Sequence, residues 1–191
     1  MALLRMRDAT FLGDGISVGP VTLGLERGER ASLVCASARH AEIVALMATA
    51  IVKSSSGCVL IGDYDPHVQS VACKRIAAFV PHEPLSLDED EFARYVGYRA
   101  ALWSVEPARA QMQVRLSRTR LAGMHEAFAY PLMAALIGAP QLIVLDRPQP
   151  AYAAAILNAV GACALLSTHT DAAAARLFAP HESGRASSRP S

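Results

Sequence analysis

The run Gln141-Leu142-Ile143-Val144-Leu145-Asp146 lies between Pro140 and Arg147-Pro148 and carries no polar residue at any interior position. A strand with one face in water alternates apolar and polar side chains, whereas this one must be covered on both faces. Helices on the two sides of a parallel sheet provide that cover. Shorter apolar runs at residues 31–35, 58–61, 77–80 and 164–167 read as further strands. Helices are expected over residues 41–51, 86–103, 107–116, 121–137 and 151–160, the second opened by a capping box of Ser86 and Glu89, the fourth bent at Pro131. Residues 3–7 and 18–25 read as a β-hairpin turning through Gly13, Asp14 and Gly15. Strands alternating with helices predict an α/β fold with a parallel sheet, any site lying at the carboxyl ends of its strands.

Composition narrows the class. With 191 residues, one domain is expected, over residues 1–178, and residues 179–191 read as a disordered tail. The formal net charge of +1 excludes a dedicated nucleic-acid binder driven by phosphate neutralisation. Hydrophobic residues make up 52% and mean hydropathy is +0.26, so membrane spans need a direct check. Residues 127–145 are divided by Pro131 and by Gly138-Ala139-Pro140, and residues 151–166 are mostly alanine; neither gives the ~20 strongly apolar residues a spanning helix needs. Met1-Ala2-Leu3-Leu4-Arg5 is too short an apolar stretch for a signal peptide. Cys35, Cys58, Cys73 and Cys163 form no CxxC pair and read as free thiols in a reducing cytoplasm.

A series of landmarks says more. Gly28-Glu29 precedes a strand and loop-helix; Gly57, Ile61-Gly62-Asp63 and Phe79-Val80-Pro81-His82 follow; then come Leu121-Ala122-Gly123-Met124, Gly138-Ala139-Pro140-Gln141 with its strand, and Leu166-Ser167-Thr168-His169. In order and spacing this series resembles the nucleotide-binding subunit of ATP-binding-cassette (ABC) transporters, over roughly residues 3 to 178. The resemblance implies a P-loop NTPase-like parallel core, an N-terminal antiparallel β lobe and a helical subdomain inserted at about residues 83–125, short for the family.

The chemistry of that family is interrupted in this sequence. A P-loop needs glycines so that backbone N–H groups approach phosphate, a lysine for the β/γ oxygens and a hydroxyl for Mg²⁺. The matching stretch is Cys35-Ala36-Ser37-Ala38-Arg39-His40-Ala41-Glu42, with Cys35 and His40 at glycine positions, Ala41 at the lysine and Glu42 at the hydroxyl. Asp146 matches the Mg²⁺ aspartate, but Arg147 stands at the general-base position, and arginine cannot give up its proton to serve as a base. His82 falls at the Q-loop glutamine and His169 at the switch histidine. The signature stretch Leu121-Ala122-Gly123-Met124 lacks the serine hydroxyl, and Phe11 is either an adenine-stacking aromatic or plain core. Asp146 and Arg147 are neighbours on a strand end, where side chains diverge, so a mutual ion pair is not expected to be assured.

The leading expectation is thus a degenerate, non-hydrolysing ABC subunit. No cofactor is expected, with ATP and Mg²⁺ binding only at low affinity; a membrane permease or a second ABC ATPase is the implied partner, at the inner face of the cell membrane. A working ATPase using Arg39, His40, Asp146 and His169 is one alternative, and a soluble scaffold on the same fold is another. In the family a groove between core and insert receives a short permease helix. The matching stretches are residues 80–87 and 92–103, which offer Phe92, Tyr95, Val96, Tyr98, Leu102 and Trp103 at helical spacing, with Tyr98 and Leu102 farther round the helix. The acidic run Asp88-Glu89-Asp90-Glu91 faces Arg109, Arg115, Arg118 and Arg120 as candidate partners.

Overall fold

A computed structural model describes residues 2–13 and 15–179. Strands β1 (Leu4–Gly13) and β2 (Ile16–Leu25) form the expected hairpin and are longer than the sequence implied; Asp14 of its turn and residues 180–191 of the expected tail lie outside the described residues. Strand β4 (Ser56–Ile61) pairs antiparallel with β1, giving a lobe in the order β2-β1-β4. A register shift in β1 between Arg7 and Thr10 brings the Asp8 carbonyl against Gly57, whose φ is +76° and whose missing Cβ would collide with that carbonyl.

The second sheet is parallel. Strands β3 (Arg30–Val34), β5 (Ala77–Val80), β6 (Leu142–Asp146) and β7 (Ala164–His169) run in the order β3-β7-β6-β5. Every residue of β6 is buried. Leu142 and Val144 pack with α1 (Ala38–Ala48) and the lobe, while Ile143 and Leu145 pack with the opposite layer, which contains α5 (Glu126–Leu136) and α6 (Ala153–Val160). Covering both faces is what the uninterrupted apolar run demands.

Between β5 and α5 stand the two helices of the insert, α3 (Glu89–Leu102) and α4 (Pro107–Arg120). The capping box is two residues later than Ser86 and Glu89 would place it. Asp88 accepts from the Glu91 N–H at 2.8 Å, and Glu91 accepts from the Asp88 N–H at 3.0 Å. Glu89 is thereby left to other work: it pairs with Arg118 of α4 at 2.8 Å and accepts from the Tyr130 hydroxyl at 3.1 Å. The ring of Tyr130 stacks on Phe92 with centroids 3.9 Å apart. Burial, and then the Glu89 carboxylate, push the Tyr130 phenol up to about 12, so it stays a donor at neutral pH.

Residues 121–137 are not one helix. The α4 helix continues to Arg120, a turn through Gly123 (φ +86°) follows, and His125 caps α5 by accepting from Ala127 N–H at 3.3 Å. Pro131 has no N–H to give the Ala127 carbonyl four residues back, and that carbonyl instead accepts from Leu85 N–H at 2.7 Å. A proline in mid-helix therefore fixes the strand-to-insert segment to the core. Two short helices were not legible beforehand: α2 (Ser70–Ile76), and α7 (Ala172–Phe178), which Asp171 caps through Ala173 and Ala174. Among the described residues no helix is long and apolar enough to cross a membrane.

Candidate functional site

The carboxyl ends of the parallel strands bring the phosphate-loop stretch, His82, Asp146 and Arg147 toward one edge of the sheet. The loop leaves β3 with Cys35 N–H donating to the His169 carbonyl at 2.7 Å, and α1 starts after Ser37, whose hydroxyl accepts from His40 N–H at 3.2 Å. His40 is held at both nitrogens: Nε2–H donates to the Ser17 carbonyl of β2 at 3.1 Å, which leaves Nδ1 to accept from the Ser37 hydroxyl at 2.6 Å. The histidine at a glycine position thus ties the helix start to the hairpin. Arg39 and Glu42 face one another on α1 at 2.8 Å. Burial pushes the Cys35 thiol up, and the charge of Asp146 adds to it, so this thiol is held protonated.

Asp146 ends β6 at 1% exposure. The expectation of diverging side chains fails here for a definite reason. Arg147 takes a left-handed backbone conformation, φ +43°, and folds back on its neighbour. Its Nε donates to Asp146 Oδ1 at 2.9 Å and its Nη2 to Oδ2 at 2.8 Å, a bidentate pair. The hydroxyl of Thr168, for which sequence reasoning finds no role, donates from Oγ1 to Oδ1 at 3.3 Å. The backbone of Arg147 is pinned at both ends, its N–H to the Thr168 carbonyl at 2.9 Å and its carbonyl by His82 Nδ1–H at 2.8 Å. The hydrogen bonds to Asp146 push the guanidinium above its ordinary value, and the nearby charges of Glu83 and Glu42 act in the same direction.

His169 does not join this group through its side chain. Thr168 and His169 are consecutive on a strand and leave opposite faces. The His169 ring is buried, hydrogen-bonded through Nε2 to Ser167 Oγ at 2.9 Å and 5.4 Å from the Phe178 ring on α7. Burial lowers its pKa from the ordinary 6.5, against the opposing pull of Asp171 and Asp146. The folded state therefore favours the neutral ring, and the stabilisation it gives is complete above about 6.5 and lost as pH falls toward the lower folded value. The urea midpoint is expected to drop over that acid range in the native chain and to stay flatter in His169→Gln; parallel curves would refute this assignment.

The remaining positions are dispersed. Phe11 is half-buried against the lobe core with its ring over Gly13. In the signature stretch Leu121 is buried, Ala122 and Gly123 are exposed, and Met124 packs on the inner cluster. Taken as a donor set, these residues do not fit a magnesium triphosphate. Glu42 neutralises Arg39, Ser37 is committed to His40, and both Asp146 oxygens are held by Arg147.

A cleft of about 690 Å³ opens between the parallel sheet and the insert. Pro81, Leu85, Tyr95, Leu102, Trp103 and Val71 give it apolar walls. The family resemblance places a groove in this position. Of the six residues the sequence offered for it, Tyr95, Leu102 and Trp103 line the cleft, whereas Tyr98 points to solvent at 61% exposure. Phe92 and Val96 turn inward and are buried. Trp103 lies across Gly138, where a Cβ would collide with the indole, so glycine there admits the tryptophan that lines the cleft.

No protein-family model and no curated protein sequence matches this chain. Solved structures do: the chain has the fold of the ATP-binding subunits of ABC transporters, with an antiparallel lobe, a parallel core and an inserted helical pair. One such structure, of an ATP-binding subunit of an ABC transporter, matches with a TM-score of 0.71 at 20% identity, over 92% of this chain and 83% of that one. Two others are cbiO1 from Clostridium perfringens, part of the transporter complex cbiONQ (TM-score 0.63, 15% identity, 88% and 78% covered), and a dimeric post-hydrolysis state of the ATP-binding cassette MJ0796 bound to ADP and Pi (0.66, 14%, 92% and 91%).

Proposed function

We propose that this chain is a non-hydrolysing, ABC-type subunit that docks through its core–insert cleft on a membrane permease, alone or beside a competent ATPase, at the inner face of the membrane. The observation that carries this reading is the bidentate Arg147–Asp146 pair: a guanidinium of the chain itself sits on the carboxylate that the resemblance assigns to Mg²⁺. The absence of the phosphate-binding lysine at Ala41 and the Arg39–Glu42 pair act in the same sense. A charge-assisted phosphate contact is worth about 1.5–3 kcal/mol, so losing it alone weakens nucleotide binding roughly tenfold or more. The cleft supports the docking half of the reading, because its apolar walls stay open to solvent instead of closing on the core. One of the similar structures belongs to a transporter complex and another is a dimer, and both arrangements are partners of the kind proposed here.

Two measurements test it. Calorimetry with ATP·Mg²⁺ is expected to give little or no heat, and a low-micromolar Kd would overturn the non-hydrolysing assignment. In pull-downs against a candidate membrane permease, Tyr95→Asp is expected to abolish capture while Tyr98→Asp, outside the cleft, keeps it. Equal retention by both folded variants would remove the cleft as the docking surface.

A further inference from the structure

The insert carries a second cavity on the side of α3 that faces away from the cleft. Tyr95, Arg99 and Leu102 of α3 line the cleft, whereas Ala93, Gly97 and Ala100 lie on the opposite face of the same helix and line a groove of about 350 Å³ against α4. The two linings share no residue. The volume falls within the range of small-molecule sites, roughly 300–1,000 Å³. Phe92, Val96, Ala110 and Val114 give the groove an apolar floor. Gly97 keeps it open. Glycine in mid-helix is a destabilising choice, and close packing does not explain this one, since a Cβ there would meet nothing within 4 Å.

The groove is charged at one end only. The Glu89–Arg118 pair sets the start of α3 beside the end of α4, and Arg115 stands with them. At the other end the lining is Ala100, Pro107 and Ala110. From Pro107 to Arg115 the helix rises about 12 Å, at about 1.5 Å per residue. Arg118 spends Nη2 on both Glu89 oxygens, at 2.8 and 3.1 Å, and lies in the last turn of α4, where a helix dipole favours cations. Arg115 differs. It stands before that last turn and forms no ion pair among the described residues.

We infer that this groove binds a single-chain amphipathic carboxylate of the fatty-acid kind, its head on Arg115 and its chain along the apolar floor toward Pro107. Two guanidinium charges against the one carboxylate of Glu89 leave the polar end short of one negative charge, which a monoanion supplies. A guanidinium takes a carboxylate through two parallel N–H donors, and the floor takes the chain out of water. The ligand lies between α3 and α4 and has no part in the cleft, so this inference stands apart from the docking reading.

The probe is decanoate below its micelle concentration, titrated calorimetrically into the full-length protein, with decanol and decyltrimethylammonium as controls. Decanoate is expected to bind. Decanol, which keeps the chain and loses the charge, should bind about tenfold or more weakly, and the cation should not bind. Gly97→Leu places a side chain in the open groove, so the variant should melt no lower than the native chain and lose decanoate binding. Arg115→Gln should weaken binding about tenfold or more, and Arg115→Lys less. No decanoate binding, or binding unchanged in Gly97→Leu, overturns the inference. Binding lost in Tyr95→Asp but kept in Gly97→Leu would put the ligand in the cleft and overturn it as well. Equal binding of decanoate and decanol would remove Arg115 as the receiver of a carboxylate, and the inference with it.

Discussion

Arg147→Glu is expected to destabilise the protein by about 3–5 kcal/mol, the range observed when one member of a buried ion pair is removed. Asp146 is 1% exposed, and the Arg147 side chain is only 18% exposed, so the remaining carboxylate has no water to turn to. The replacement also puts a second negative charge beside it, with Glu42 and Glu83 already close enough to influence the guanidinium. Restoring the family's general-base residue should thus lower the urea midpoint sharply and still give no phosphate release above a heat-treated control, since a base accelerates nothing when no triphosphate is held in line. The double variant Asp146→Asn with Arg147→Met removes charge from both sides and is expected to lose less than the single one. A single variant as stable as the native chain would show that the pair contributes nothing, and measurable turnover in it would end the non-hydrolysing proposal.

Phe92→Ala is expected to have an effect of the same size, about 3–5 kcal/mol, but in a different place. Phe92 is 2% exposed and stacks at 3.9 Å on Tyr130, whose hydroxyl donates to Glu89 on α3 and Glu126 on α5. Removing the ring empties the seam by which the insert is fastened to the core. Limited proteolysis should then cut first within residues 86–121, before the parallel sheet opens. Cleavage starting instead in the β lobe would show that the insert is held by other contacts.

What the sequence revealed and what it hid follow from the range of each interaction. Strand β6 was plain because four consecutive apolar residues between turn signals can be buried in few ways, and the hairpin was plain from its turn glycines. The stretch from Cys35 to Glu42 resembles a phosphate loop only in its place, its residue types being unsuited to one. How those residues satisfy one another was not legible, since the ring of His40 spans from α1 to Ser17 on β2. The Arg147–Asp146 pair was misjudged because neighbours on an extended strand diverge, and only a left-handed backbone at a residue other than glycine brings them together. Nothing in the sequence marks Arg99, whose Nε is buried without a hydrogen-bond partner among the described residues. The capping box slipped by two residues because Ser86 and Asp88 both begin a cap-like spacing, and the tertiary pairing of Glu89 with Arg118 and Tyr130 decides between them.

The inward fold of Arg147 also bears on how such a chain changes over generations. A lineage in which the loop lysine alone decays can recover by one reversal. Under the proposed reading, a change of Arg147 to glutamate passes through a form with two uncompensated carboxylates at the end of β6 while Ala41 and Glu42 are still in place. That intermediate is penalised whatever the later steps would bring. The salt bridge therefore works as a ratchet: it neutralises a carboxylate buried at the end of β6 and makes a glutamate at position 147, introduced alone, worse than the present sequence. Neutral drift would keep the fold and its cleft while a glutamate at position 147 stays out of reach as a single step.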